Sequence, residues 1–166
     1  MFYNGIERCA SFAAKATLFV SGCFIALMAL HITLDVVLRF IFGNSFQGTL
    51  EVVSFYYMVC AIFLSLAYVE YKREHISVDV VVQRLPEAMK LPLYVFACLL
   101  GIAYFGMLGY QSTLDALRAT ESQETAMANF TFYIWPSRWA LPVGFFATCI
   151  ATFANMVKAI AERKAL

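Results

Sequence analysis

The stretch ATLFVSGCFIALMALHITLDVVLRFIF, residues 16–42, decides the fold of this chain. It is apolar almost throughout, and His31, Asp35 and Arg39 are its only charged or histidine side chains. A helix of roughly 20 apolar residues spans the hydrocarbon core of a bilayer. A helix also satisfies its own backbone hydrogen bonds, which lipid cannot do for it. The stretch therefore predicts a first membrane span at residues 16–41.

Three more apolar runs of similar length follow along the chain. The chain has 166 residues, of which 62% are hydrophobic and only 14% charged, whereas soluble domains are about half apolar and about a quarter charged. We therefore predict an all-α membrane protein that forms a single membrane domain over residues 1–166. Its four spans are expected near 16–41, 52–70, 92–115 and 136–157.

The composition also argues against several classes of function. A net charge of +1 without a basic stripe gives no basis for a nucleic-acid partner. The five cysteines contain no CxxC pair, and His31 is the only histidine within an apolar run, too few for a haem carrier. No Ser/His/Asp set, HExxH motif or zinc-ligand spacing is present in the sequence. We therefore expect no enzymatic activity, no cofactor and no metal, and we expect membrane lipids as partners.

The distribution of Lys and Arg predicts the orientation, because these residues collect in cytoplasmic loops. Nine of them lie in the N-terminal segment, the middle loop and the C-terminal segment, against three in the other two loops. We therefore predict that both termini and the middle loop are cytoplasmic. The nine are Arg8, Lys15, Lys72, Arg73, Arg84, Lys90, Lys158, Arg163 and Lys164, and the three are Arg39, Arg118 and Arg138.

The middle loop carries its own periodic pattern. Val78, Val81, Val82 and Leu85 recur at i, i+3, i+4 and i+7, the apolar stripe of an amphipathic helix. We predict a short interfacial helix at residues 77–85, ending before the proline that follows. Alternation over residues 76–82 also fits a strand, but a lone strand would leave its edges unpaired at the membrane surface.

His31, Asp35 and Arg39 are spaced i, i+4 and i+8 and form one polar ridge on the first helix. Ionisable residues inside a membrane often mark ion or proton paths. The alternative is structural: an Asp35–Arg39 pair near the outer headgroups, with a hydrogen-bonded His31, facing another helix rather than lipid. We favour the structural interpretation, because a rise of about 1.5 Å per residue places Asp35 roughly 30 Å from Lys15 along the helix axis. That distance is the thickness of the hydrocarbon core, so Asp35 lies close to the outer headgroups.

Small residues form a second stripe on the same helix, about 150° from the polar ridge. Small side chains let helices approach closely in lipid, so two non-lipid faces indicate one neighbour inside the bundle and a second beyond it. The fourth span has a similar small face. The first stripe comprises Gly22, Ala26, Ala29 and Thr33, and the second Ala147, Ala151 and Ala154.

Several short motifs, in this order and spacing, resemble a known family. They are Arg39, GTLEV at residues 48–52, HISVD at residues 75–79, LP at residues 85–86 and LPVGF at residues 141–145. Together they are similar to the small membrane subunit (DctQ-like) of tripartite ATP-independent periplasmic (TRAP) transporters. The resemblance extends over the whole chain.

The resemblance implies a function that composition does not provide. Such subunits pair with a large membrane subunit that moves substrate by an elevator motion driven by a sodium gradient. A periplasmic binding protein delivers the substrate, usually an organic acid. The small subunit resembles a fixed scaffold, in a bacterial or archaeal cytoplasmic (inner) membrane.

Two other hypotheses remain open. The first is a self-sufficient small ion-coupled carrier that acts as a homo-oligomer, with His31 and Asp35 as its proton relay. The second is a haem or quinone anchor subunit.

If the chain is a scaffold, six residues are candidates for structure or for the partner interface: His31, Asp35, Arg39, Glu51, His75 and Asp79. We expect Arg39 and Glu51 to pair across the 43–47 turn and to brace the outer rim where the large subunit docks. We expect the segment from His75 to Asp79 to fix the turn between the second span and the interfacial helix.

Overall fold

The computed structural model describes residues 2–43, 46–74, 86–126 and 131–162. Within these ranges four helices are long and apolar enough to cross a membrane. They are α1 (Phe2–Phe42), α2 (Thr49–Lys72), α3 (Glu87–Glu121) and α4 (Ala140–Glu162), the last preceded by a helical turn at Trp135–Arg138. Between α3 and α4, β1 (Thr125–Ala126) pairs antiparallel with β2 (Phe132–Tyr133). The predicted all-α membrane class is confirmed.

The helices extend beyond the apolar runs that predicted them. α1 begins at Phe2 and α3 continues to Glu121, because a helix need not end where the hydrocarbon ends. The positions of the four spans within these helices remain a prediction. The predicted interfacial helix at 77–85, together with His75 and Asp79, lies outside the described residues.

α4 is the central helix of the bundle. Of its most apolar 18-residue window 56% is buried inside the chain, against 6% for α1 and for α3. Its small face, Ala147, Ala151 and Ala154, is buried. Since the lipid-facing side of each helix is as apolar as its packed side, small residues rather than apolarity decide where helices meet.

Buried polar side chains join the helices in pairs. The Ser21 hydroxyl on α1 donates to the Ala61 carbonyl on α2 at 2.7 Å. The Asn155 amide on α4 donates to the Glu70 carbonyl on α2 at 2.8 Å. Ser21 and Asn155 are both nearly inaccessible, and each bond satisfies a polar group that lipid could not.

The closest approach in the bundle is at Gly144. A Cβ on this glycine would overlap the backbone carbonyl of Phe63 on α2. The Gly144 carbonyl also accepts a hydrogen bond from the Thr148 hydroxyl at 2.8 Å. The backbone at Gly144 thus contacts α2 on one side and a side chain of its own helix on the other. Glycine is therefore required for α2 and α4 to reach their observed separation.

We expect Gly144→Ala to destabilise the bundle by about 1–3 kcal/mol, because the atom that must move is backbone and not a flexible side chain. Thermal unfolding of the protein in mild detergent measures the effect. Gly106→Ala on α3 is the matched control, since a Cβ there meets nothing within 4 Å. Equal unfolding temperatures for the two variants would contradict the close approach.

Candidate functional site

Asp35 is the most deeply buried charged residue in the described part of the chain, with 4% of its surface accessible. Its Oδ2 accepts from the Arg39 guanidinium at 3.1 Å, and its Oδ1 accepts from the backbone N–H of Phe46 at 2.7 Å. Both carboxylate oxygens are thus occupied by donors from the same chain. The second bond ties Phe46, three residues before the start of α2, back onto α1.

His31 lies one helical turn before Asp35 and contacts α2. Its Nδ1 is 3.2 Å from the Tyr57 hydroxyl, and its ring meets the rings of Tyr57 and Phe46 edge-on, with centroids 5.8 and 5.9 Å away. The structure therefore confirms the expected Asp35–Arg39 pair and the expected hydrogen-bonded histidine. Of the ridge, His31 faces α2 and Asp35 faces the connection before α2, whereas the Arg39 side chain is largely exposed.

A π-helical segment in α2 positions the partner of His31. Residues Val53–Tyr57 form the wider helical turn of this type, in which hydrogen bonds run from i to i+5. Tyr57 turns towards α1, whereas the neighbouring Tyr56 donates to the Tyr133 carbonyl of the α3–α4 connection at 2.6 Å. Two consecutive tyrosines thus join α2 to α1 and to the α3–α4 connection.

The α3–α4 connection is itself held by charge. Arg138 donates from Nε and Nη2 to the two oxygens of Glu124, at 3.1 and 2.8 Å. The Trp139 indole donates to the Thr120 hydroxyl at 3.1 Å. Such two-point pairing of guanidinium and carboxylate fixes geometry as well as charge, so the hairpin and the start of α4 form one unit.

The expected pair of Arg39 and Glu51 is not formed among the described residues. Arg39 pairs instead with Asp35, four residues earlier on its own helix, and its side chain is 65% exposed. The intrahelical partner wins because i,i+4 spacing brings the two side chains together without any help from the connection. A role for Arg39 and Glu51 at a partner interface remains a prediction.

Sequence reasoning missed Tyr57 and the backbone N–H of Phe46 as partners of the ridge. The signal that could have indicated the second is the pair Gly43 and Gly48, which both adopt positive φ, at 70° and 92°. Glycines at such positions mark tight turns, and a tight turn would bring the connection back towards α1. For Tyr57 no such signal exists, since the π-helical segment is not evident from residue types.

Across the described ranges, no three His, Cys, Asp or Glu side chains cluster in a way that could hold a metal ion. The polar groups at this end of the bundle are used to fix helices and connections.

The fold and this arrangement define an all-helical, multi-pass integral membrane protein. More specifically, the chain belongs to the DctQ component family of the tripartite ATP-independent periplasmic transporters, whose family model matches residues 28–162. It is thus the small membrane component of such a transporter. The family consists of transporter components and is not a family of enzymes. Comparisons with curated proteins and with solved structures gave no match.

We expect Asp35→Ala to destabilise the protein by about 1–3 kcal/mol, the cost of leaving the Phe46 N–H without a buried acceptor. Asp35→Asn should cost less, because its amide oxygen can still accept from that N–H. Thermal unfolding in detergent measures both. Asp115→Ala, which removes a half-exposed carboxylate paired with Arg118, is the control and should be close to neutral. An Asp35→Ala variant as stable as Asp115→Ala would show that the carboxylate does not hold the connection.

Proposed function

We propose that this chain is the static scaffold subunit of its transporter. In this proposal it supports a large elevator-type membrane subunit in sodium-gradient-driven uptake of an organic acid, which a periplasmic binding protein delivers. The observation that carries the proposal is the family match over residues 28–162. The proposal also has structural support, because the buried carboxylate of Asp35 is occupied by internal donors and is not open to an ion or substrate.

The outward face of α1 is the surface that we assign to the large subunit. Gly22, Ala26, Ala29 and Thr33 are all exposed in this chain, while Ser21 and Asp35 on the inward side are buried. A Cβ at Gly22 would meet nothing within 4 Å. A shallow stripe of this kind lets a second helix approach closely in lipid, and the large membrane subunit is the partner that the family provides.

We expect Ala26→Leu to reduce co-purification of the large subunit severalfold, because the added side chain fills the shallow stripe. Ala103→Leu on α3 is the matched control, since it makes the same change at another exposed alanine of a membrane-length helix. Both variants are purified through a tag on this chain, and the recovered large subunit is quantified. If only Ala103→Leu lost the large subunit, the interface would lie on α3 and not on α1.

The competing function is a self-sufficient carrier with a proton relay through His31 and Asp35. The contact of His31 with Tyr57 is the observation that favours it, since both groups can exchange protons. Reconstitution separates the two functions. We expect the purified chain in liposomes to take up no organic acid under a sodium or proton gradient. Uptake that His31→Ala abolishes would establish the carrier instead.

The proposed orientation, with both termini cytoplasmic, follows from the nine-to-three distribution of Lys and Arg. Cysteine labelling in intact cells, in a background without the five native cysteines, tests it. A cysteine replacing Arg118 should react with a membrane-impermeant reagent, and one replacing Lys72 should react only after permeabilisation. The reverse labelling pattern would overturn the orientation.

A further inference from the structure

The end of the bundle opposite Asp35 collects basic side chains from three elements. Two adjoining open grooves, of about 390 and 280 Å³, share Glu7 and Tyr71 in their walls. The wider groove is lined by Arg8 and Lys15 of α1, and the narrower by Lys72, Arg73 and Lys158. Glu7 is the only acidic side chain in either wall within the described residues, so five cations face one carboxylate.

Part of this charge is already used by contacts within the chain. Lys158 lies 3.5 Å from the Glu7 carboxylate. Arg73 donates to the Asn155 side chain at 3.4 Å and lies over the Tyr94 ring, 5.7 Å from its centroid. These contacts fix the inner wall of the two grooves, and the Glu7 carboxylate is already paired with Lys158.

Arg8 and Lys15 remain uncompensated. Across the described ranges neither has a carboxylate within 4 Å, and both side chains are exposed. Lys15 is seven positions after Arg8, which places the two on one face of α1 about 10 Å apart along its axis. Together with the hydroxyl groups of Ser11 and Tyr71 they line the wider groove.

The groove has an apolar part as well. Phe12 lies between Arg8 and Lys15 and is 76% exposed, and the uninterrupted apolar run of α1 begins directly after Lys15, at Ala16. The two cations therefore cover the depth of a headgroup layer, which is roughly 5–8 Å on each side of the hydrocarbon. A ligand that fills the groove needs a negative charge at its upper part and an apolar chain below.

We propose that this groove is a binding site for an anionic phospholipid. Arg8 and Lys15 bind the phosphate, the hydroxyls of Ser11 and Tyr71 bind the rest of the headgroup, and Phe12 packs against the glycerol and the first carbons of the acyl chains. Free inorganic phosphate fits the cations but gives Phe12 no partner. Basic recesses between membrane helices are the sites at which such headgroups bind specifically. The inference does not depend on the transporter function of the chain.

Native mass spectrometry of the purified full-length protein tests the site. Phosphatidylglycerol is titrated against phosphatidylcholine with the same acyl chains. We expect phosphatidylglycerol to bind at least about fivefold more tightly, and we expect Arg8→Gln and Lys15→Gln each to weaken its binding about fivefold, the contribution of one cation near a membrane surface. Lys15→Arg should keep the wild-type affinity.

Arg118→Gln is the matched control, because it removes an exposed cation at the other end of the bundle. It should leave the binding of phosphatidylglycerol unchanged. Equal affinity for the two lipids, an equal loss in Arg118→Gln, or a loss in Lys15→Arg as large as that in Lys15→Gln would each overturn the proposal. Inorganic phosphate at millimolar concentration should not displace the lipid, and displacement would show that the groove is a site for free phosphate.

Discussion

Within a bilayer, every buried polar group of a protein needs a partner from the protein itself, and the arrangement of this chain depends on how that requirement is met. Asp35 meets it with one donor from its own helix and one from the backbone of the next connection. Ser21 and Asn155 meet it with carbonyls of α2. Each polar side chain thus determines which helix faces meet. Apolar packing alone would not determine this, because lipid chains compete equally well for an apolar helix face.

The same requirement supports the proposed scaffold role. A site that moves an ion has to exchange partners during a cycle, whereas the carboxylate of Asp35 has both oxygens held and its burial is nearly complete. Among the described residues, alanines predominate in the buried interior, and Gly144 contacts the backbone of α2 directly. These features suit a component that stays still while another moves.

Much of this fold could be predicted from the sequence, because apolar runs of sufficient length have few alternatives. Each predicted span lies within one observed helix, apart from the start of the fourth, where the turn at Trp135–Arg138 precedes α4. The Asp35–Arg39 pair was predictable for a similar reason, since i,i+4 spacing alone brings the two groups together.

The contacts that escaped prediction all involve a second element. The Phe46 N–H reaches Asp35 only because the connection folds back, and residue types do not encode a backbone donor. The pair of Arg39 and Glu51 was expected across that connection and is replaced by the local one. Gly144 was recognised as part of a family motif, but its physical role required the position of Phe63 on another helix.

The π-helical segment at Val53–Tyr57 restricts insertions and deletions within α2. Each residue of an α-helix turns the chain by about 100°, so deleting one residue here would rotate one half of α2 against the other. Tyr57 could then no longer face α1 while Tyr56 reached the hairpin. Insertions and deletions of a single residue, which a regular helix end can absorb by fraying, should therefore be excluded from this turn. The rotational register of α2 is set near its N-terminal end, where two tyrosines contact two different neighbours.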